Sequence, residues 1–84
     1  MHTLRKLVLD VLKPFSPSAL ELAKRLLQLR GVKRVEVSLI EMDRDVENVK
    51  ITLEGNLNYE LLKREIEKLG ASIHSIDGVT VEKR

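Results

Sequence analysis

The sequence predicts an α+β fold: a four-stranded antiparallel sheet with two helices packed on one face. Three observations predict it. A strand–helix–strand pattern is written twice in 84 residues. Its strands alternate apolar and polar residues with a period of two, the mark of a sheet buried on one face. The two units are joined by a short turn at Asp43–Val46.

The first unit reads as a strand over Thr3–Lys13, a helix over Pro17–Arg30 and a strand over Arg34–Met42. Leu7, Leu9 and Val11 share one strand face, as do Val35, Val37 and Leu39. Ser16 followed by Pro17 is an N-cap and first-turn pair, and Gly31 suits the left-handed residue after a helix end. Between them Ala19, Leu22, Ala23, Leu26 and Leu29 form one apolar stripe. The second unit reads as a strand over Glu47–Glu54, a helix over Tyr59–Leu69 and a strand over Ser72–Val81. Val49, Ile51 and Leu53 alternate with Lys50, Thr52 and Glu54; Asn58 caps the helix, Gly70 ends it, and Tyr59, Leu62, Ile66 and Leu69 form its stripe. Glu21–Arg25, Glu60–Arg64 and Lys63–Glu67 are opposite charges one helical turn apart.

Right-handed crossovers restrict how two such units combine. Interleaving them gives the strand order 4-1-3-2 with both helices on one side, a ferredoxin-like βαββαβ sandwich. Residues 1–84 are read as one such domain.

Composition bounds the function. The chain has no cysteine, so disulfide, iron–sulfur and thiol chemistry are excluded. The longest clean apolar run, Leu7–Leu9, is far short of the roughly 20 residues of a membrane span. Asp10 interrupts the stretch after Arg5 and Lys6, so the N-terminus does not read as a signal peptide. A cytoplasmic protein is the expectation. Charged residues make up 33% and aromatics 2%, a bias toward Leu, Lys, Glu and Arg that fits a hot habitat. The net charge of +2 is spread rather than segregated, so neither a nucleic acid nor a membrane is expected as partner.

With both helices on one side, the other sheet face is open. Alternation assigns Val8, Asp10 and Leu12 to it from the first strand, and Glu36, Ser38, Ile40 and Met42 from the second. Lys50, Thr52 and Glu54 follow from the third, and His74 and Ile76 from the fourth if its register holds. Val8, Leu12, Ile40, Met42 and Ile76 are either scattered surface residues or a subunit interface; their number favours an interface. Small cores gain stability by oligomerising, so a homo-oligomer is expected.

Several uses of this architecture lack their residues. Base stacking needs aromatics on the sheet, and only Phe15 and Tyr59 are present, on neither central strand. A phosphate cradle needs glycines after the first strand; Lys13-Pro14-Phe15-Ser16-Pro17 has none. The same stiff loop weakens an amino-acid-binding regulatory role.

Glu41, Asp43, Asp45 and Glu47 place a carboxylate at every second position across the strand–turn–strand junction. Hard cations such as Ca²⁺ or Mg²⁺ take clustered oxygens on bendable loops, so these four are the candidate metal ligands. A solvated charged turn that guards an edge strand is the competing reading. Ser72-Ile73-His74-Ser75-Ile76-Asp77 holds a serine, a histidine and an aspartate, but neighbours on one strand point to opposite faces and cannot converge as a triad. His74 pairing with Asp10 across strands is the structural alternative. No catalytic residue is assigned and no cofactor is required.

Three blocks carry a family resemblance: Leu7-Val8-Leu9-Asp10-Val11-Leu12-Lys13-Pro14, Glu47-Asn48-Val49-Lys50-Ile51-Thr52-Leu53-Glu54-Gly55, and Ile73-His74-Ser75-Ile76-Asp77. In this order, over essentially the whole chain, the sequence resembles a small archaeal family, domain of unknown function 211. The resemblance implies a ferredoxin-like fold, a ring-like homo-oligomer, no established enzyme activity, and divalent-cation binding that maps here onto the acidic junction. Two functions follow as expectations. One is a non-enzymatic homo-oligomer that binds Ca²⁺ or Mg²⁺; the other is a small-molecule-sensing regulatory module.

Overall fold

The computed structural model describes residues Met1–Arg84 as β1 (His2–Pro14), α1 (Ala19–Leu27), β2 (Val32–Met42), β3 (Val46–Leu57), α2 (Tyr59–Lys68) and β4 (Ser72–Lys83). The sheet runs β2-β3-β1-β4 with every neighbouring pair antiparallel, which is the expected order read from the opposite edge. No helix is long and apolar enough to cross a membrane.

The core lies between sheet and helices. Leu7, Leu9 and Val11 of β1 and Val49, Ile51, Leu53 and Leu57 of β3 are buried under Leu22 and Leu26 of α1 and Leu62 and Ile66 of α2, with Ala71 at the margin. Each such side chain contributes about 1.5–3 kcal/mol before chain entropy is subtracted.

The strands are longer than the sequence suggests and the first helix is shorter. Ser18, not Ser16, caps α1, its Oγ accepting the Glu21 N–H at 3.1 Å. Ser18-x-x-Glu21 has the capping-box spacing, which outcompetes the Ser16–Pro17 pair. Asn58 caps α2 as expected, its Oδ1 accepting the Leu61 N–H at 3.1 Å. Glu21 and Arg25 approach to 3.6 Å, whereas Glu60–Arg64 and Lys63–Glu67 form no ion pair.

The proportions of helix and strand matter. β1, with 13 residues, spans about 43 Å at 3.3 Å per residue, whereas α1 and α2, with 9 and 10, span only about 15 Å at 1.5 Å per residue. The helices therefore leave both ends of the sheet uncovered, and the molecule is drawn out to 44 × 22 × 17 Å.

Three bulges correct the face assignments made from alternation alone. In β2, Ile40 is an extra residue between the pairs Leu39↔Val49 and Glu41↔Asn48. Paired residues share a face, so Met42, opposite Glu47, lies on the helix-bearing side and not on the open face. In β4, His74 and Asp77 are the extra residues, so Ile76 pairs with Leu9 and also turns to the helix-bearing side. Val8, Leu12 and Ile40 keep their expected places. Val8 is half-buried, with Gly78 opposite; a Cβ there would come within 3.4 Å of its Cγ2.

A candidate functional site at the turn between β2 and β3

The end of the sheet where β1 runs out beside the β2–β3 turn collects most of the side chains singled out in the sequence. The turn is tied by its backbone, Asp43 N–H donating to the Val46 carbonyl at 2.9 Å, and Asp43 Oδ1 accepts the Arg44 N–H at 2.8 Å. On the open face a cleft of about 330 Å³ is lined by Leu12, Glu41, Asp43, Val46 and Asn48. A second depression of about 310 Å³, lined by Leu12, Lys13, Pro14, Asp45, Val46, Gly70 and Ser72, adjoins it. Leu12 and Val46 line both and so separate them.

The four candidate metal ligands divide between these surroundings. Glu41 and Asp43 line the cleft, while Asp45 lines the adjoining depression. Glu47 is taken up elsewhere: its Oε1 accepts a hydrogen bond from Lys13 Nζ at 2.6 Å. No three acidic or histidine side chains of the chain gather closely enough to hold a metal ion. The expectation of four converging carboxylates is therefore corrected for a single chain. The physical reason is again a bulge: the extra residue at Ile40 reverses the alternation that would have set Glu41 and Glu47 on one face.

Lys13 is the residue that sequence reasoning missed. It is 1% exposed, and its ammonium is satisfied by Glu47, by the Pro14 carbonyl at 2.8 Å and, more loosely, by the Phe15 carbonyl at 3.4 Å. Burial of a charge is tolerated only with such pairing. A signal was present. Lys13 continues the inward series Leu7, Leu9, Val11, and Glu47 continues Val49, Ile51, Leu53 in the other direction, so alternation itself places them face to face.

Next to this pair, on the open face, Asn48 donates its amide to Asp10 and to the Val11 carbonyl, the latter at 3.2 Å. Asp10 is thus partnered by Asn48 rather than by His74, which is exposed as the extra residue of a bulge. Ser75 Oγ donates to Asp77 Oδ1 at 2.7 Å, so its proton is not shared with a histidine. The site offers carboxylates, one carboxamide and apolar walls, which suit cation or small-polar-molecule binding better than acyl transfer.

A family model for domain of unknown function 211, described as Uncharacterized ArCR, matches residues 5–84. The chain belongs to family 211. An uncharacterized protein of Methanocaldococcus jannaschii is 41% identical over 85 aligned positions, covering 100% of this chain and 88% of that protein. In this family 211 chain the blocks Leu7–Pro14, Glu47–Gly55 and Ile73–Asp77 fall on β1, β3 and β4.

Proposed function

We propose that this family 211 protein works as a non-enzymatic homo-oligomer, of the ring type the resemblance implies, in which a second copy covers the sheet margins its short helices leave bare. One observation carries the reading. Apolar side chains stand on the two edge strands with nothing over them: Leu39, Ile40 and Met42 on β2 are 52%, 57% and 56% exposed, and Ile76, Val79 and Val81 on β4 are 48%, 59% and 52% exposed. They form runs, which is the pattern of a surface awaiting a partner rather than of scattered singles. Val8 and Leu12 add apolar surface on the opposite, open face, where Leu12 lines the cleft.

Ca²⁺ or Mg²⁺ enters this reading as a bridge between copies. Glu41 and Asp43 supply two carboxylates to the cleft, and hard cations want about six to eight oxygens. The balance comes from water and from a neighbouring copy's Asp45 or turn carbonyls. A regulatory module that senses a small molecule is the second reading. The cleft favours it, being near the lower bound of about 300 Å³ for ligand pockets and mixing apolar walls with a few polar groups.

Light scattering on a sizing column, with native mass spectrometry of the protein as purified, tests both. An oligomer without a retained small molecule supports the first reading, and a retained organic mass supports the second. A monomer at micromolar concentration rejects the first.

A further inference from the structure

The two free edges of the sheet, β2 and β4, run in opposite directions, because every neighbouring pair between them is antiparallel. A second copy in the same orientation therefore offers its β4 antiparallel to β2. Each edge holds one stretch without an extra residue: Arg34–Leu39 in β2, between Lys33 and Ile40, and Gly78–Lys83 in β4, beyond Asp77. Such edges present unpaired N–H and C=O groups that another strand can take. Both stretches carry uncovered apolar side chains, Leu39 on β2 and Val79 and Val81 on β4.

We propose, building on the homo-oligomer reading, that β2 of one copy pairs with β4 of the next, with Val37 opposite the partner's Val79. The register follows from rows, bulges and charges. Along a row of antiparallel strands, hydrogen-bonded and non-hydrogen-bonded pairs alternate. The row Val35–Leu53–Leu7–Val79 thus leaves its outer residues both turned in or both turned out. Even displacements keep that match, whereas odd ones set the helix-side row against the open-face row. Val35 opposite the partner's Val79 drives the bulge at the partner's Asp77 into the middle of Arg34–Leu39. Val35 opposite the partner's Lys83 sets Glu36 against the partner's Glu82, and Arg34 against the partner's Arg84. Val35 opposite the partner's Val81 has neither fault.

In that register Val35 and Val37 cover the partner's Val81 and Val79 on the helix-bearing side. On the open face Glu36 meets the partner's Thr80 and Ser38 meets the partner's Gly78. Arg34, held by Glu36 and Glu54 in its own chain, lies opposite the partner's Glu82, which is held by the partner's Arg5. The contact uses a different edge on each copy, so it repeats head to tail and closes as the ring. It also completes the candidate site. The row Glu41–Asn48–Leu12–Ser72 lies at the turn end of the sheet. The register sets Asp43 of one copy beside the partner's Ser72, which lines the same depression as the partner's Asp45. The cleft with Glu41 and Asp43 thus gains a third carboxylate as its neighbour, and every such site stands on one rim of the ring.

Since the chain has no cysteine, disulfide trapping reads the register directly. Glu36 and Thr80 are exposed, and β3 and β1 separate them within one chain. Glu36→Cys with Thr80→Cys on the same chain can therefore bridge only between copies. Directly opposed residues have Cβ atoms about 4.5–5.5 Å apart, close to disulfide range, while diagonal ones are about 7–8 Å apart. On mild oxidation this double variant should give a ladder of covalent multimers that stops at the subunit number found by light scattering. Glu36→Cys with Glu82→Cys, a diagonal pair, should cross-link far more slowly. Amide hydrogen exchange of the wild type needs no substitution. It should show protection at consecutive amides of Arg34–Ser38 and Gly78–Glu82, where a free edge protects only alternate ones. If the wild type is oligomeric but the Thr80 pair cross-links no faster than the Glu82 pair, the β2–β4 pairing is overturned and the oligomer reading stands. Covalent dimers from either single variant, or alternate protection in either strand, overturn it equally. If the wild type is a monomer, both fall.

Discussion

Lys13 and Glu47 form a buried ion pair at 2.6 Å, closing the end of the β1–β3 ladder just beneath the turn that carries the other acidic residues. The ammonium also reaches the carbonyls of Pro14 and Phe15, so one side chain joins β1, the loop into α1, and β3. Breaking a buried pair from one side costs far more than the pair is worth, because the remaining charge stays desolvated.

Glu47→Ala should therefore destabilise the fold by about 3–5 kcal/mol. Replacing both partners with apolar residues, Lys13→Met with Glu47→Leu, should recover most of that loss. Denaturant melts of the two variants and the parent check this. Equal losses in the single and the double variant would show that the ion pair is not what holds this corner.

The cap of α1 gives a sharper contrast. Ser18 Oγ accepts the Glu21 N–H, and no side-chain bond of Ser16 accompanies it. Ser18→Ala should cost about 1 kcal/mol, within a range of about 0.5–2. Ser16→Ala should stay within about 0.5 kcal/mol of the parent, as surface changes do. Thermal melts resolve the difference, since 1 kcal/mol moves the midpoint by about 4–8 °C at this size.

These two sites also show what the sequence makes legible. The core could be read because Leu7, Leu9, Val11 and Val49, Ile51, Leu53 keep strict alternation through the regular middle of β1 and β3. Ser18 was overshadowed by a serine followed by proline, a local signal that the capping box at Ser18–Glu21 outweighs. The acidic turn was legible as a cluster of charges but not as a geometry. A single extra residue at Ile40 reverses the faces of everything after it, and nothing in Leu39-Ile40-Glu41 marks a bulge. In β4 the glycine of Asp77-Gly78 is such a mark, and the extra residue is Asp77. Lys13 was hidden by its type, since lysines are almost never fully buried unless paired.

The start of β2 and the bend in β3 depend on each other. Gly31 has φ 88°, and a Cβ on it would sit 2.1 Å from the Asn56 carbonyl oxygen; a Cβ on Gly55 would sit 2.1 Å from the Gly31 carbonyl oxygen. That carbonyl also accepts the Asn56 N–H at 2.8 Å. Gly31→Ala should thus combine left-handed strain of about 1–2 kcal/mol with a backbone clash, and leave little folded protein. Gly70→Ala has a similar φ of 86° but meets only Pro14, at 3.6 Å, so it should cost the strain alone. Circular dichroism and solubility of the two variants compare them; equal behaviour would mean that the Gly31–Asn56 approach relaxes.

Ca²⁺ or Mg²⁺ bound between copies predicts a coupled response. One chain offers the cleft Glu41 and Asp43 but no cluster of three ligands, so tight binding requires a second chain, and assembly and metal affinity must rise together. At metal about 100 times its dissociation constant, the folded assembly gains about 2.7 kcal/mol, a shift on the order of 10 °C in the melting midpoint. Glu41→Gln with Asp43→Asn should abolish the shift while leaving the metal-free midpoint close to the parent, because both side chains are exposed. Glu47→Gln is unsuitable as a probe, since its effect on Lys13 would be mistaken for a lost ligand. The shift should also grow with protein concentration. A metal response that ignores concentration would place the ion within one chain, and no response at millimolar metal would remove the cation from the proposed function.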